Sequence, residues 1–450
     1  MLLLLAAAAL LFTANPELSL PSLDDCFYAR KGVEMARAGD LSTVTWNGVP
    51  TFQNPPLQID LLAASFALFG ENDFAARLPS ALMALGVLAG VLWLGHRLAG
   101  EEVALTAAAL LAAVPLFCNH ARRCMLDVPL CFWVVVAFAV LFEGDRRPRL
   151  LVLLAIPLGA ALLTKSVLGL LPLVVLASAA AFDKGIRRLL RTPWLWIGVL
   201  GGLLVGLAWP LDQYFVHGPL ALREHYLGEI ASRSSAGFSL ARVLTGYPLA
   251  LLGSFQPVVL PALVGIPIVW RSRGLAERLL VAWVLAPIVL YSFSSAQSPR
   301  YLFPTLPAMA LVAALWLSRS FPRSAFWLRR AVPLLLACAA MLFWAIPRLL
   351  SWPGNDPLKR QADVIRDAVP SGEPIPYLGT RYWGVANPLL YYAERLLEPT
   401  RNTAAEAVAV ATSRSGLLLV DKDRLGEIEA IAAPKPVLAW GDAVLLRVTR

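Results

Sequence analysis

The sequence predicts an all-α polytopic membrane protein, with about eleven transmembrane helices and a small α/β domain at its C-terminal end. Three observations support this fold class. The 450-residue chain is 58% hydrophobic and 15% charged, whereas soluble domains are about half apolar and a quarter charged. Its apolar residues are concentrated in long runs. After residue 350 these runs stop. Short β-like segments, at Ile375–Leu378, Gly416–Val420 and Pro436–Val448, then alternate with helical stretches near 357–368 and 422–432.

The apolar runs give the candidate spans, because a helix that crosses the hydrocarbon core needs roughly 20 apolar residues. They lie at about 1–16, 78–96, 103–118, 127–142, 150–164, 166–182, 194–211, 247–270, 279–295, 301–318 and 331–350. The first run lacks the basic segment of a signal peptide, so we interpret it as a shortened span, with a cleaved signal as the alternative. Only Lys165 separates the fifth and sixth runs, which predicts a tight helical hairpin or a broken pair.

Basic residues indicate the orientation. The net charge is +9, and residues 351–450 hold twelve residues of each sign, so the excess lies before them. Lys and Arg fill every second predicted loop, and such loops are cytoplasmic. The N-terminus is then cytoplasmic, and residues 351–450 lie on the outer side of the membrane. No basic patch on a polar domain suggests nucleic-acid binding.

The first outer loop, residues 17–77, contains two predicted amphipathic helices. One runs from Leu23 to Ala38 and ends at Gly39, with a capping-box pattern starting at Ser22. The other, Leu57 to Phe69, is too short to span and is expected to lie in the membrane interface.

Acidic and basic residues meet on this predicted outer side. The acids are Asp24, Asp25 and Asp127, and the cations are Arg123, Lys165 and Arg300, the last beside Tyr301. Each of two acids also has a purely structural alternative. For Asp25 this alternative is helix capping, and for Asp127 it is an ion pair with Arg122 or Arg123. A carboxylate can take a proton from an acceptor, and cations can stabilise a departing phosphate. The pattern therefore favours group transfer from a phosphate-activated lipid donor.

Five segments occur in order: LDDCFYARKGVEMARAGDLSTVTWNGVPTFQNPPL, ENDFAARLPSAL, RRCMLDVPL, LLTKS and SPRYLFPTLPAMAL. Over about residues 15–320 the chain resembles the bacterial GT-C glycosyltransferases of the protein-mannosyltransferase-like superfamily, and within them the lipid A aminoarabinose transferase branch. The resemblance implies transfer from a polyprenyl-phosphate-linked sugar to a lipid A-like lipid, a glycan or a protein. It also implies a periplasmic reaction, inversion at the anomeric carbon and contact with membrane lipids.

The resemblance also implies the site residues. The family's two acids correspond to Asp24, followed here by Asp25, and to Asp127, while its arginine at the second span corresponds to Arg77, expected to be structural. We predict as catalytic Asp24, Asp25 and Asp127. We predict as substrate-binding Tyr28, Arg123, Lys165, Arg300 and Tyr301.

Two departures from the aminoarabinose branch limit what the resemblance implies. The first loop has Gln53-Asn54-Pro55 instead of Glu-Lys-Pro, and the segment around Glu229 lacks a histidine. Both weigh against a bound divalent metal, for which Glu229 is the one weak candidate ligand, and no other cofactor is indicated. The sugar and the acceptor stay open.

Two alternatives remain. A transporter or flippase of lipid-linked sugars usually has ionisable residues near the bilayer midplane, but here the charges gather at helix ends. A non-catalytic GT-C homologue is suggested by the missing Glu-Lys pair.

The C-terminal domain, residues 351–450, carries no nucleophile elbow, phosphate loop or metal pattern, so we expect it to be a lid or support without chemistry. His217 and His225 are expected to be solvated.

Overall fold

Apolar helices make up most of the molecule. The computed structural model describes residues 1–14, 18–20, 23–226, 240–272, 274–294, 297–349 and 356–449. Within these residues, seven helical stretches are long and apolar enough to cross a membrane. They are Asp73–Ala99, Asp127–Gly144, Pro148–Phe182, Pro193–His217, Leu275–Ser292, Pro299–Ser320 and Pro322–Leu342. The chain is a multi-pass membrane protein.

Two bent helix pairs raise the number of spans to nine if each pair is one span. Glu101–Ala112 meets Pro115–Ala121 at 74°, and Thr245–Ser254 meets Val259–Arg271 at 112°. The predicted number of eleven is not confirmed, since the first candidate forms only the short helix Leu2–Phe12. Further helices outside the spans are Lys184–Leu190 and Pro219–Leu222.

The predicted break at Lys165 is present. The stretch Pro148–Phe182 begins as a 3-10 segment to Leu154, continues as the helix Ala155–Lys165, and resumes as helix from Leu171. At Ser166 the backbone takes φ 49°, a left-handed value. The chain folds back there so closely that a Cβ on Gly169 would lie 2.5 Å from the carbonyl carbon of Ala161. The reversal leaves Lys165 at the tip of the turn.

Both predicted first-loop helices are confirmed at Leu23–Ala38 and Leu57–Phe69. The capping role of Ser22 lies outside the described residues. Between the helices, β1 (Thr45–Trp46) and β2 (Val49–Pro50) form an antiparallel hairpin that we did not predict. Its turn is Asn47-Gly48, both with positive φ. Asn-Gly is the commonest sequence signal for such a turn, so the hairpin was readable from the sequence.

The C-terminal region is an α/β layer. Its five-stranded sheet has the order β4-β3-β5-β7-β6. The strands are β3 (Ile375–Leu378), β4 (Leu397–Thr400), β5 (Leu417–Asp421), β6 (Lys435–Trp440) and β7 (Ala443–Arg447). The helices are Pro357–Ala368, Tyr382–Pro388, Ala404–Thr412 and Leu425–Glu429. β3 is parallel to β4 and β5, while β7 is antiparallel to β5 and β6. The predicted strands and the helix near 357–368 are confirmed, whereas β4, Tyr382–Pro388 and Ala404–Thr412 were not predicted.

The C-terminal region packs on the first loop. Phe27 and Trp46 from the loop join its hydrophobic core. Arg30 donates to the carbonyl of Leu390 at 3.1 Å, and the Asn47 amide donates to the carbonyl of Leu397 at 3.1 Å. This docking brings the helix Tyr382–Pro388 next to the helix Leu23–Ala38. The domain boundary at 350/351 falls among residues that the structure does not describe, and it stays a prediction.

Candidate active site

A cavity of about 230 Å³ lies where the first loop, the beginnings of two spanning stretches, the turn at Lys165 and the C-terminal region meet. Six of the eight predicted site residues line it. Its walls are formed by Asp24, Phe27, Tyr28, Gln53, Asn54, Met125, Leu126, Asp127, Lys165, Arg300, Tyr301, Trp383 and Asn387. Residues far apart in sequence therefore line one polar cavity at the ends of apolar helices.

The deeper wall carries an ion pair between Asp127 and Lys165. Asp127 begins its helix, and its carboxylate, 2% exposed, lies 2.6 Å from the Lys165 ammonium. The same ammonium lies 5.7 Å from the centroid of the Tyr301 ring. The alternative expectation, an ion pair of Asp127 with Arg122 or Arg123, is wrong. Arg122 donates instead to a backbone carbonyl.

The entrance carries a second pair, Asp24 with Arg300, at 2.7 Å. Here the side chains are open to solvent, at 48% exposed for Asp24 and 41% for Arg300. Asp24 lies in the first turn of its helix, and Arg300 in a 3-10 segment that opens a spanning stretch. Of the two carboxylates in the cavity, Asp24 is the one that a molecule entering from outside would meet first.

Asp25 and Arg123 do not line the cavity, so their predicted places in it are corrected. Asp25 is fully buried. One of its oxygens accepts hydrogen bonds from Arg123 at 2.7 and 3.0 Å, and the other accepts from the Cys124 amide at 2.7 Å. This pair ties the first-loop helix to the segment that leads into the Asp127 helix. The capping role expected of Asp25 depends on Ser22, which lies outside the described residues, and it stays a prediction.

Lys31 is a buried cation behind the cavity wall that sequence reasoning missed. It is fully buried, and its ammonium donates to the side-chain oxygen of Asn54 at 3.2 Å. It also lies 3.9 Å from the centroid of the Phe27 ring. Asn54 is where the related branch has lysine, so a cation reaches that position from another element. The i, i+4 spacing of Phe27 and Lys31 on a helix was the available signal.

The C-terminal region contributes Trp383 and Asn387 to the cavity. Lining the cavity is compatible with the expected lid or support, and the absence of chemistry in this region stays a prediction. Both residues belong to the helix Tyr382–Pro388, which the sequence analysis did not find. Its proline and glycine obscure the helical pattern.

Two cysteines flank the Asp25 cross-link. Burial, and after it the charge of Asp25, raises the pKa of the Cys26 and Cys124 thiols well above the usual value. A nucleophilic cysteine needs a depressed pKa, so both thiols are neutral packing groups.

The histidines also bear on the site. His225 is 2% exposed, which corrects the expectation that it is solvated. It makes hydrogen bonds with the Ser166 hydroxyl at 2.8 Å and the Phe52 carbonyl at 2.7 Å, and so stabilises the turn after Lys165.

Arg77 donates to two first-loop carbonyls, as expected of a structural residue. Within the part of the chain that the structure describes, no three His, Cys, Asp or Glu side chains group as a metal site would need. Glu229 lies outside the described residues.

The helical architecture and the C-terminal sheet define the GT-C glycosyltransferase fold. Over 99% of the chain, the structure matches the crystal structure of ArnT from Cupriavidus metallidurans bound to undecaprenyl phosphate, with a TM-score of 0.77, 20% identity and 97% of that protein covered. The Archaeoglobus fulgidus oligosaccharyltransferase in its apo form matches with a TM-score of 0.57 and 15% identity, over 94% of this chain and 70% of that one.

Sequence comparisons agree. The family model described as dolichyl-phosphate-mannose-protein mannosyltransferase matches residues 53–209. The undecaprenyl phosphate-alpha-4-amino-4-deoxy-L-arabinose arabinosyl transferase of Shewanella sediminis is 27% identical over 320 residues, which is 68% of this chain and 57% of that protein. The Pseudomonas aeruginosa (strain UCBPP-PA14) protein of the same name is 30% identical over 308 residues, 64% of this chain and 54% of its own length. The aligned region thus spans just over half of these relatives. The predicted resemblance to the ArnT-like GT-C glycosyltransferases is confirmed.

Proposed function

We propose that the chain is an integral-membrane glycosyltransferase that moves a sugar from a polyprenyl-phosphate carrier to an envelope acceptor, with inversion at the anomeric carbon. The acceptor class includes lipid A-like lipids, glycans and proteins. One observation carries the proposal: two carboxylate–cation pairs, Asp24–Arg300 and Asp127–Lys165, face a single cavity at the ends of apolar helices. The names of the relatives point to the same donor class.

In the proposed reaction the Asp24 carboxylate accepts the proton of the attacking acceptor hydroxyl. The acceptor oxygen forms a bond to the anomeric carbon as the bond from that carbon to the carrier's phosphate oxygen breaks. The electron pair of the broken bond leaves with the polyprenyl phosphate, whose negative charge grows. Lys165 and Arg300 stabilise that charge, and Tyr28 and Tyr301 donate hydrogen bonds to substrate oxygens.

The ion pairs suggest how the phosphate changes the site. Each cavity carboxylate is held by a cation, so an entering phosphate competes for Lys165 and Arg300. When Arg300 turns to the phosphate, Asp24 loses its partner and is free to accept a proton. Asp127, almost fully buried, keeps Lys165 in position. We assign Asp25 and Arg123 the structural task of fixing the helix that carries Asp24.

We also propose the topology. Residues 1–350 form the transmembrane domain, in which the loop 17–77 covers the outer side, and residues 351–450 form an extracytoplasmic domain. The N-terminus is cytoplasmic, the membrane is the bacterial inner membrane, and the reaction takes place on its periplasmic face. The basic loops support this orientation. An alkaline phosphatase fused at residue 360 is expected to be active, and an inactive fusion would contradict it.

A detergent assay with purified full-length chain tests the function. The donor is undecaprenyl phosphate-alpha-4-amino-4-deoxy-L-arabinose, the acceptor is lipid A, and mass spectrometry follows sugar-bearing acceptor and released undecaprenyl phosphate. Other polyprenyl-phosphate sugars are then tried in its place. Transfer by the wild type and a loss of about 100-fold or more in kcat for Asp24→Asn are expected.

The matched control is Asp367→Asn, at an exposed position on the C-terminal region. It should transfer sugar at the wild-type rate. Unchanged turnover in Asp24→Asn would remove Asp24 from the mechanism, and failure of the wild type with every polyprenyl-phosphate sugar would refute the function. A transporter consumes no donor in detergent, so the same assay separates that alternative, which the relatives do not support.

A further inference from the structure

We propose that the C-terminal region supplies the sugar-recognition half of the cavity. In this proposal, Trp383 stacks on the apolar face of the donor's sugar ring, and the side-chain oxygen of Asn387 accepts a hydrogen bond from one of the sugar's polar hydrogens. The inference rests on the proposed function, since it names how the same cavity would hold the donor. It assigns recognition to a region that the sequence analysis treated as a support.

Trp383 is held firmly but incompletely covered. Its ring contacts Trp46 at 4.7 Å between centroids, Phe27 at 6.0 Å and Tyr382 at 5.7 Å, the last two close to edge-on. Three aromatic neighbours fix the plane of the indole, yet the residue stays 50% exposed. A large apolar side chain fixed in this way, and lining a polar cavity, offers a preformed stacking surface.

Asn387 presents an unsatisfied acceptor. The residue is 4% exposed, and its side-chain oxygen has no hydrogen-bond partner among the described residues. A buried polar atom without a partner costs about 1–3 kcal/mol, so such atoms in native proteins call for an explanation. Because Asn387 lines the cavity, a ligand hydroxyl or ammonium that donates to this oxygen provides one.

The two walls of the cavity differ in chemistry. The membrane-side wall holds Lys165 and Arg300, which suit a phosphate. The C-terminal wall contributes an aromatic face and a neutral amide, which suit a sugar ring with its apolar C–H face and polar rim. The cavity of about 230 Å³ is below the roughly 300–1,000 Å³ of sites for drug-sized ligands. The expected occupant is therefore one sugar residue together with the phosphate that carries it.

Binding measurements on the purified full chain test the inference without requiring turnover. Two probes are compared: undecaprenyl phosphate-alpha-4-amino-4-deoxy-L-arabinose, and undecaprenyl phosphate without a sugar. Wild-type protein should bind the sugar-carrying probe more tightly. Trp383→Ala and Asn387→Ala should each weaken that probe by roughly three- to tenfold and leave the Kd of the sugar-free carrier unchanged. Trp383→Phe keeps an aromatic face and should retain most of the affinity.

Matched controls lie on the same region. Ile431→Ala and Asn402→Ala change exposed residues outside the cavity and should bind both probes as the wild type does. Trp383 also packs between the two parts of the molecule, so thermal unfolding accompanies each variant. If Trp383→Ala does not fold, Trp383→Phe and Asn387→Ala carry the test.

The outcomes are distinct. Equal weakening of both probes would mean that Trp383 and Asn387 only hold the fold, and it would overturn the inference, as would unchanged binding in all variants. Weakening confined to the sugar-carrying probe supports it. Failure of the proposed function shows separately, as wild-type protein that binds a probe but transfers no sugar. Where transfer occurs, the variants should raise the KM for the donor more than they lower kcat.

Discussion

The neighbouring acids Asp24 and Asp25 should respond in opposite ways to the same substitution. Asp25→Asn keeps the shape of the side chain and removes its charge. In the wild type that charge is fully buried and accepts two hydrogen bonds from Arg123. Breaking a buried ion pair costs about 3–5 kcal/mol, because the mutual attraction no longer offsets the desolvation of the remaining charge. Asp24 is half exposed, and a pair of that kind is worth about 1 kcal/mol or less.

The free energy of unfolding, measured by titration with SDS in mixed micelles, provides the assay. Asp25→Asn is expected to lose about 3–5 kcal/mol, whereas Asp24→Asn stays within about 1 kcal/mol of the wild type. Arg123→Met should be destabilised like Asp25→Asn, and the double variant should lose less than the sum of both, by about 2 kcal/mol.

The transfer assay gives the opposite order. Asp24→Asn should lower kcat about 100-fold or more in folded protein, while Asp25→Asn should retain turnover in whatever fraction stays folded. The reasoning is refuted if Asp25→Asn unfolds like the wild type, or if folded Asp25→Asn protein has lost turnover to the same extent as Asp24→Asn.

Three further changes have defined outcomes. Lys165→Met leaves the buried Asp127 carboxylate without its ion-pair partner, so it should lower the free energy of unfolding by about 3–5 kcal/mol and stop transfer. Adding Asp127→Asn should restore stability in SDS titrations but not transfer. Restored transfer would contradict the mechanism. Burial raises the pKa of Asp60 to about 7, so the folded state loses stability as pH rises from about 4 to 7. Asp60→Asn should therefore flatten the dependence of the thermal unfolding temperature on pH between pH 4.5 and 8. An unchanged pH profile would exclude Asp60 as its cause. Gly169→Ala places a Cβ 2.5 Å from Ala161 and should sharply lower the yield of folded protein, unlike Gly253→Ala, where a Cβ meets nothing within 4 Å.

Much of the fold follows from the sequence because its signals are local. Apolar runs long enough to span a bilayer, a break at Lys165 and the first-loop helix from Leu23 to Ala38 all depend on neighbours in sequence. The strands of the C-terminal region alternate in a recognisable way. Span counting fails at the first run, because Leu2–Phe12 is short, and length alone does not decide whether such a helix crosses.

The site, like the fold, has features that follow from the sequence and features that do not. The sequence offered the acids and cations, but it could not say which acid pairs with which cation. Asp127 pairs with Lys165 and not with an arginine a few positions away, because the helix ends bring distant residues together. Asp25 and Arg123 were assigned to the same cluster, yet they form a buried cross-link outside the cavity. Asp24 and Asp25 are adjacent on one helix, and adjacent helical residues do not face the same side; Arg123 is distant from both in sequence.

The sequence by itself determined that this chain is a multi-pass membrane protein with carboxylates and cations at helix ends, since hydropathy and charge are properties of short segments. Only the tertiary structure decided that Asp24 and Asp127 line one cavity, and that Trp383 and Asn387 line it too. It also decided that the buried Lys31 donates a hydrogen bond to Asn54 in the cavity wall. Those contacts join residues separated by up to several hundred positions, and they form only when the helices pack.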